Sequence, residues 1–155
     1  MTGGGLAGDK KATLGQIAKK YRGDAGRLSD PALRDSIAQH AIDSEAFAFT
    51  SERSVQEAKL SKGPNATSSM LKNYGCELNK RRYELLLKAM GTQALGWESG
   101  ENGDFTPDEI VATRGWLRSK GNSIEGGTYE IQLNVIAKRV LGLPDMTSML
   151  AKQGG

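Results

Sequence analysis

The fold is decided by two long segments with helical periodicity, which read DPALRDSIAQHAIDSEAFAFTSERSVQEAKL at residues 30–60 and ATSSMLKNYGCELNKRRYELLLKAM at residues 66–90. Asp30 is a suitable N-cap and Pro31 stands at the first helical position, so together they mark the start of the first helix. A glycine and a proline at 63–64 end it, and Gly91 is a natural C′ residue for the second helix. Two helices of this length, joined by a tight turn, form the antiparallel hairpin of a helical bundle.

Shorter helices are predicted on either side of this hairpin. One runs from Thr13 to Tyr21, and another begins at residues 106–109, where a capping box is combined with proline at the first helical position, and reaches about Arg118. Thr128 caps a last helix that ends at Gly142. No stretch alternates with the period of two that a strand requires. The predicted fold is therefore all-α, an antiparallel helical bundle over residues 13–144 with a flexible leader at 1–12 and a flexible tail at 145–155.

The composition excludes several classes of protein. The 155 residues suit one domain, and no run approaches the roughly 18 apolar residues of a membrane-spanning helix. A single cysteine, Cys76, and a single histidine, His40, exclude a disulfide framework, a multi-cysteine zinc site and a two-histidine metal motif, so no metal site is predicted. The formal net charge of +3 is too small to indicate a nucleic-acid partner. Cysteine usage and an N-terminus without the apolar core of a secretory signal favour the cytoplasm.

Isolated polar residues on the predicted helices receive structural interpretations. His40 is expected to be hydrogen-bonded or to face solvent, rather than to bind a ligand. Cys76 is expected to be a small packed thiol. The charge run Lys80-Arg81-Arg82 is typical of a solvated helix face.

The segment Gly126-Gly127-Thr128 allows two interpretations. Paired glycines let the backbone turn sharply and approach another molecule closely. Thr128 then opens a helix, whose free N–H groups suit an anion such as a phosphate. The alternative is a turn followed by an ordinary N-cap, and the spacing alone favours this alternative.

The string RGWLRSKGNSIEGGTYEIQLNVIAKRVLGLP at residues 114–144 resembles the C-terminal signature of the acyl-CoA dehydrogenase family, with its GGT-x-EIQ turn and its IAKRVLGLP-like helix. A looser resemblance reaches back to Leu14 through DPALRDSIAQHAIDSEAF and ELLLKAMGTQALGW. It covers most of the chain but only the last part of such an enzyme. The resemblance implies the C-terminal four-helix bundle, with its first helix cut short and the central β domain absent.

Family members bind FAD and remove two hydrogens from the α and β carbons of an acyl-CoA thioester, so the resemblance implies both of these partners. In the best-known members the glutamate base stands two residues before the threonine of the turn, a position held here by Gly126. Glu125, one residue earlier, is therefore a displaced candidate for the base. Some members carry the base on the first helix of the bundle, in the part that is expected to be missing.

The resemblance also assigns binding residues. Gly127 falls at a position whose backbone meets the substrate, and Thr128, Tyr129 and Glu130 fall where members contact the nucleotide portion of the flavin. Gly91 and Thr92 match a loop that reaches FAD, often across a subunit boundary, although the usual double glycine reads Gly-Thr here.

Two functions follow from these assignments. The chain is either the C-terminal part of a flavin-dependent acyl-CoA dehydrogenase, inactive in isolation, or a non-catalytic helical module for assembly derived from that family. Both predict a homo-oligomer or a complementing chain, because the bundles of the family pack against each other and one bundle cannot supply every wall of a pocket.

Overall fold

The computed structural model describes residues 12–24, 27–60, 67–99 and 103–144. The helices are α1 (Leu14–Arg22), α2 (Pro31–Leu60), α3 (Thr67–Met90), a 3-10 helix (Gly91–Leu95), α4 (Pro107–Gly121), α5 (Tyr129–Val135) and a π-helix (Ile136–Val140). Two short strands, β1 (Gly23–Asp24) and β2 (Arg27–Leu28), lie between α1 and α2. The all-α prediction is confirmed. The leader before Ala12, the tail from residue 145 and the predicted tight turn between α2 and α3 lie outside the described residues.

The helices begin where the capping residues predict. Thr13 forms a capping box with Gln16 at α1, and Thr106 forms one with Glu109 at α4. At α2 the Oδ1 atom of Asp30 accepts the backbone N–H of Leu33 at 3.0 Å, and this hydrogen bond lowers the pKa of the Asp30 carboxyl. Each cap satisfies N–H groups that have no partner inside the helix, which explains why the starts follow from local sequence.

Several boundaries differ from the predicted ones. α4 continues past Arg118 to Gly121, and its last turn contains the buried Ser119, which donates to the carbonyl of Trp116 at 2.6 Å. The segment between α1 and α2 contains an antiparallel pairing of Gly23 with Leu28, which is too short to produce an alternating pattern in the sequence. The 3-10 helix follows α3 directly. The last predicted helix is divided into α5 and the π-helix.

α3 is the central element, and it packs against α1, α2, α4 and α5. One buried cluster joins α1, β2, α2 and α3 and contains Ala18, Leu28, Leu33, Leu85 and Ala89. A second joins the C-terminal end of α3 to the 3-10 helix and α4 and contains Leu86, Met90, Ala94 and Ala112. The core therefore lies towards the C-terminal end of α3. No helix among the described residues is long and apolar enough to cross a membrane.

The hydrogen-bonded interpretation of His40 is confirmed at one ring nitrogen, whereas the solvated interpretation of the charge run is wrong. His40 is 7% exposed on α2, and its Nδ1 atom has no hydrogen-bond partner among the described residues, while Nε2 lies 3.5 Å from the hydroxyl of Ser44. Burial, together with the charges of Arg81 and Arg82, lowers the pKa of His40. The charge run at 80–82 is half-buried rather than solvated, because Arg81 reaches across to the carboxylate of Asp43 on α2.

Candidate functional site

A turn at residues 122–127 connects α4 to α5 and carries the glycine pair. Gly126 has φ +63° and Gly127 has φ +102°, a region that side-chain-bearing residues rarely adopt. A Cβ atom on Gly127 would lie 2.7 Å from Nε2 of Gln132. Both glycines are therefore required by the backbone itself, and the sharp turn that both interpretations of this segment predict is present.

The turn is held by three side chains of α3. The Lys72 ammonium lies 2.5 Å from the carbonyl oxygen of Gly127 and 3.4 Å from that of Asn122. The Cys76 thiol lies 3.2 Å from the Asn122 carbonyl oxygen, and the Asn79 side-chain amide donates to the Asn122 side chain at 3.2 Å. Lysine, cysteine and asparagine at these spacings share one helix face. Cys76 is partly buried and in contact with the turn, as a packed thiol would be.

The peptide groups that follow Gly126 and Gly127 both have an occupied carbonyl oxygen. The Gly126 carbonyl oxygen accepts the side-chain amide of Gln132 at 2.9 Å, and the Gly127 carbonyl oxygen accepts the Lys72 ammonium. The N–H groups of the same two peptides, on Gly127 and Thr128, donate to no acceptor in the described part of the chain. The turn thus presents two backbone donors, and such donors suit an oxygen atom of a ligand.

The residues after the turn cap α5. The Thr128 hydroxyl oxygen accepts the N–H of Ile131 at 3.4 Å, which confirms the predicted N-cap. The Glu130 carboxylate accepts its own backbone N–H and the Thr128 hydroxyl, and these hydrogen bonds lower its pKa. A carboxylate therefore already stands at the start of this seven-residue helix. Tyr129 is exposed beside it. Their contacts with a flavin stay a prediction.

Glu125, the candidate base, forms an ion pair with Arg118. Its Oε1 atom lies 2.6 Å from Nη2 of Arg118, and the two side chains are 51% and 64% exposed. The carboxylate is thus on the surface of the turn and is tied back to the end of α4. To accept a proton from a substrate it has to leave Arg118, since a general base acts within hydrogen-bond reach of the proton it takes.

Gly91 and Thr92 lie at the opposite end of α3. A helix rise of about 1.5 Å per residue puts the Cα atoms of Lys72 and Gly91 about 28 Å apart. Gly91 has φ +62°, and a Cβ atom there would lie 2.6 Å from the guanidinium of Arg22. One copy of the chain therefore does not bring this pair together with Gly127, Thr128, Tyr129 and Glu130.

The Gly91 end also carries a buried acid. Glu109 accepts the Tyr21 hydroxyl at 2.9 Å and the backbone N–H of Thr106 at 2.8 Å. Burial and this hydrogen bond raise the pKa of Tyr21 to about 12, whereas the pKa of Glu109 is lowered by the N–H of Thr106. A groove of about 380 Å³ beside Tyr21 is lined by side chains of α1, α3 and α4, including Arg82.

Sequence reasoning missed Lys72, Asn79 and Gln132. Lysine, asparagine and glutamine on a helix are common surface residues, and nothing local distinguishes these three. The signal that would have found Lys72, Cys76 and Asn79 is their shared helix face, which becomes informative only once α5 and the turn are known to pack against α3.

The sequence of the chain matches a known protein family. A family model described as "Acyl-CoA dehydrogenase, C-terminal domain" matches residues 3–141. The chain is 29% identical over 133 residues to acyl-CoA dehydrogenase IpdE1 of Mycolicibacterium smegmatis, an alignment that covers 86% of this chain. The chain spans about 30% of the length of that relative. No solved structure matches the chain.

Proposed function

Because this chain belongs to the acyl-CoA dehydrogenase family, as its C-terminal domain, we propose that it is the helical part of a flavin-dependent enzyme that dehydrogenates an acyl-CoA thioester at the α and β carbons. The observation that carries the proposal lies at the turn 122–127 and the residue after it. The N–H groups of Gly127 and Thr128 donate to no acceptor among the described residues, while the carbonyl oxygens of the same peptides accept Gln132 and Lys72. Such a pair fits an oxygen of FAD or of the thioester.

The roles proposed for the site residues are those that the family resemblance implies. Gly127 would meet the substrate, and Thr128, Tyr129 and Glu130 would lie along the nucleotide part of FAD. The hydride acceptor of this reaction is FAD, which supplies the redox chemistry when bound. Gly91 and Thr92, at the far end of α3, would reach FAD bound to another subunit. These contacts make an oligomer or a complementing chain part of the proposal.

The isolated chain is expected to be inactive. Glu125 is exposed and paired with Arg118, so nothing holds its carboxylate against a substrate carbon. Gly126 offers no carboxylate at the position that the family most often uses. A helical bundle also forms only one side of a cleft, and a ligand pocket needs walls that converge. We further propose a cytoplasmic location, on the cysteine usage of the chain.

The test begins with the absorbance spectrum of the purified chain, alone and after mixing with FAD and a chain that carries the other domains of the family. Bound flavin and acyl-CoA-dependent reduction are expected only in the mixture. Turnover by the isolated chain would contradict the proposed inactivity, and the absence of flavin binding in every mixture would contradict the enzyme proposal.

The active mixture then decides the role of Glu125. If Glu125 is the base, Glu125→Gln reduces the rate by about 10²- to 10⁴-fold while substrate binding is retained. Glu52→Gln, on the exposed surface of α2, is the matched control. An unchanged rate for Glu125→Gln assigns the base to the complementing chain.

A second candidate function, a non-catalytic assembly module, is favoured by the outer face of α2. Ile42 and Phe49 stand seven residues apart on one helix face and are 63% and 64% exposed. A groove of about 490 Å³ beside them is lined by residues of α2 and α3, namely Ala46, Phe47, Thr50, Arg53, Met70, Asn73 and Tyr74. Exposed apolar surface of this kind is typical of a protein interface.

The same surface suits a second copy of the chain. An isologous dimer requires one patch that complements itself. Here the protruding Phe49 and the groove lie side by side on α2, so each copy has an aromatic side chain to insert and a groove to receive one. This arrangement would serve assembly whether or not a flavin site is completed.

A further inference from the structure

The interaction between Lys72 and the turn has a consequence for the donors that the turn presents. The ammonium of Lys72 contacts the carbonyl oxygen of Gly127, and the N–H of Thr128 belongs to the same peptide group. A charged donor on the oxygen of a peptide draws electron density away from its nitrogen. The N–H on the opposite side then becomes a stronger donor, as in chains of hydrogen bonds that polarise one another.

We propose that Lys72 is a positioning residue, which locks the turn and polarises the Gly127–Thr128 peptide so that the Thr128 N–H binds an oxygen of the ligand. The uncharged side-chain amide of Gln132 donates to the carbonyl oxygen of Gly126, and so holds and polarises the Gly126–Gly127 peptide without adding a charge. That the Thr128 N–H binds a ligand rests on the proposed function. The effect of Lys72 on the order of the turn does not.

The local backbone explains why such a lock is required. Two consecutive glycines have more accessible conformations than any other pair of residues, so the turn loses a large conformational entropy when it is ordered. α5 contributes no fully buried side chain to hold it. Besides the Gln132 contact with Gly126 and the Glu125–Arg118 pair, the turn is fixed by polar contacts from α3. Among the hydrogen bonds of the described residues, Lys72 supplies the one to the carbonyl oxygen of the second glycine.

Lys72 also links the two ends of the turn, because its ammonium lies within 3.4 Å of the Asn122 carbonyl oxygen. Cys76 and Asn79 contact Asn122 alone. Loss of Asn79 should loosen the start of the turn without removing the charge from the Gly127 carbonyl. Substitution of Asn79 therefore tests anchoring of the turn alone, whereas substitution of Lys72 also tests polarisation of the Gly127–Thr128 peptide.

The experiment is amide NMR of the full chain, with Lys72→Met as the test variant, Asn79→Ala as the comparison and Lys88→Met, exposed on the same helix, as the control. In Lys72→Met the order parameters of Gly126 and Gly127 are expected to fall from the rigid value of about 0.85 to below about 0.6. The ¹⁵N and ¹H shifts of Thr128 should move as well. Asn79→Ala should leave the Thr128 shifts in place, and Lys88→Met should change neither quantity.

Unchanged order parameters and unchanged Thr128 shifts in Lys72→Met would overturn the proposal. If Lys72→Met does not fold by circular dichroism, Lys72→Gln replaces it, since glutamine keeps a donor but removes the charge. The Thr128 shifts are then expected to move, and shifts equal to those of the unsubstituted chain would reject the polarising role.

A second readout concerns function and uses the flavin-loaded mixture with the complementing chain. Lys72→Met is expected to weaken flavin or substrate binding by about ten- to a hundredfold, the factor for a lost charge-assisted hydrogen bond, at a temperature at which circular dichroism shows the variant to be folded. Unchanged binding beside altered NMR would reject the ligand-binding role alone. A mixture that binds no flavin even without a substitution would reject the proposed function, while the NMR result would still decide the effect of Lys72 on the turn.

Discussion

The two ends of α3 are stabilised by different interactions. At the Gly91 end, Leu86, Met90, Ala94 and Ala112 form a buried cluster, and the Tyr21–Glu109 hydrogen bond lies beside it. At the Lys72 end, the turn is held by polar contacts, and neither α5 nor the π-helix contributes a buried residue within the described chain. We call the Gly91 end the closed end, because a buried cluster covers it. We call the Lys72 end the open end, because it leaves backbone donors and apolar side chains exposed, as a surface for a partner or ligand requires.

The largest expected effect tests whether the stability of the chain resides at the closed end. Leu86→Ala removes a buried side chain, and the lost burial plus the remaining cavity should lower the free energy of unfolding by about 2–5 kcal/mol. Ile131→Ala, on the exposed surface of α5, should change it by no more than about 0.5 kcal/mol. Denaturant unfolding followed by circular dichroism measures both. Equal losses would remove the distinction between the two ends.

The next prediction concerns association through the open end, where Phe49 lies beside the α2–α3 groove. Phe49→Asp places a charge in the proposed interface and should weaken a dimer by more than about tenfold, since central aromatic residues dominate interface energies. Val55→Asp is the matched control, because Val55 is similarly exposed but lies on another face of α2. Light scattering across a concentration series measures the effect. Equal weakening by both substitutions, or a monomer before any substitution, would contradict the assignment of this surface.

A further prediction concerns the region between the two ends, where His40 is a buried titratable group on α2. Its pKa is lowered by burial and by Arg81 and Arg82, with Asp43 acting in the opposite direction. The unfolded chain therefore binds a proton more readily than the folded one. Stability should fall as the pH drops through the ordinary histidine value of about 6.5 towards the folded pKa.

Urea unfolding between about pH 8 and about pH 5 measures this dependence. His40→Leu removes the titrating ring and the unpaired Nδ1 atom, so it should flatten the profile in this range. A slope that persists in His40→Leu would assign the pH dependence to other groups.

The smallest expected effect lies at the closed end. The pKa of Tyr21 is raised to about 12 by burial and by Glu109, above the ordinary value of 10.0. The contribution of the neutral phenol is therefore complete below about pH 10 and is lost as the pH rises towards about 12. Subtracting the phenolate absorbance titration of Tyr21→Phe from that of the unsubstituted chain isolates this residue. Glu109→Gln should lower its pKa, and an unchanged titration would contradict the contact.

Much of the fold was predictable because its determinants are local. Asp30, Thr13, Thr106 and Thr128 each cap a helix through atoms within a few residues, so the helix starts follow from short motifs. The positive φ of Gly91 after α3 follows in the same way from the end of an apolar pattern. The two-residue strands were missed, because pairing of Gly23 with Leu28 and of Asp24 with Arg27 leaves no periodic signal.

The candidate site was predictable only in part. The glycine pair and Thr128 are recognisable from sequence, and the positive φ angles agree with that interpretation. The partners of the turn were not recognisable, since Lys72 and Asn79 act across 55 and 43 residues of chain. The burial of His40 was not recognisable either, for the same reason. Its immediate neighbours are polar, and its burial results from the packing of α3 against α2.

The amino-acid sequence alone was sufficient to define an all-α bundle, its helix starts, its glycine turns and its family, because periodicity, caps and motif strings are properties of contiguous residues. Packing in three dimensions determined the rest. It placed Gly91 and Gly127 at opposite ends of α3, paired Glu125 with Arg118, and brought Lys72 to the Gly127 carbonyl. These arrangements depend on which helix faces meet, and that choice is made by the burial of side chains from distant segments around α3.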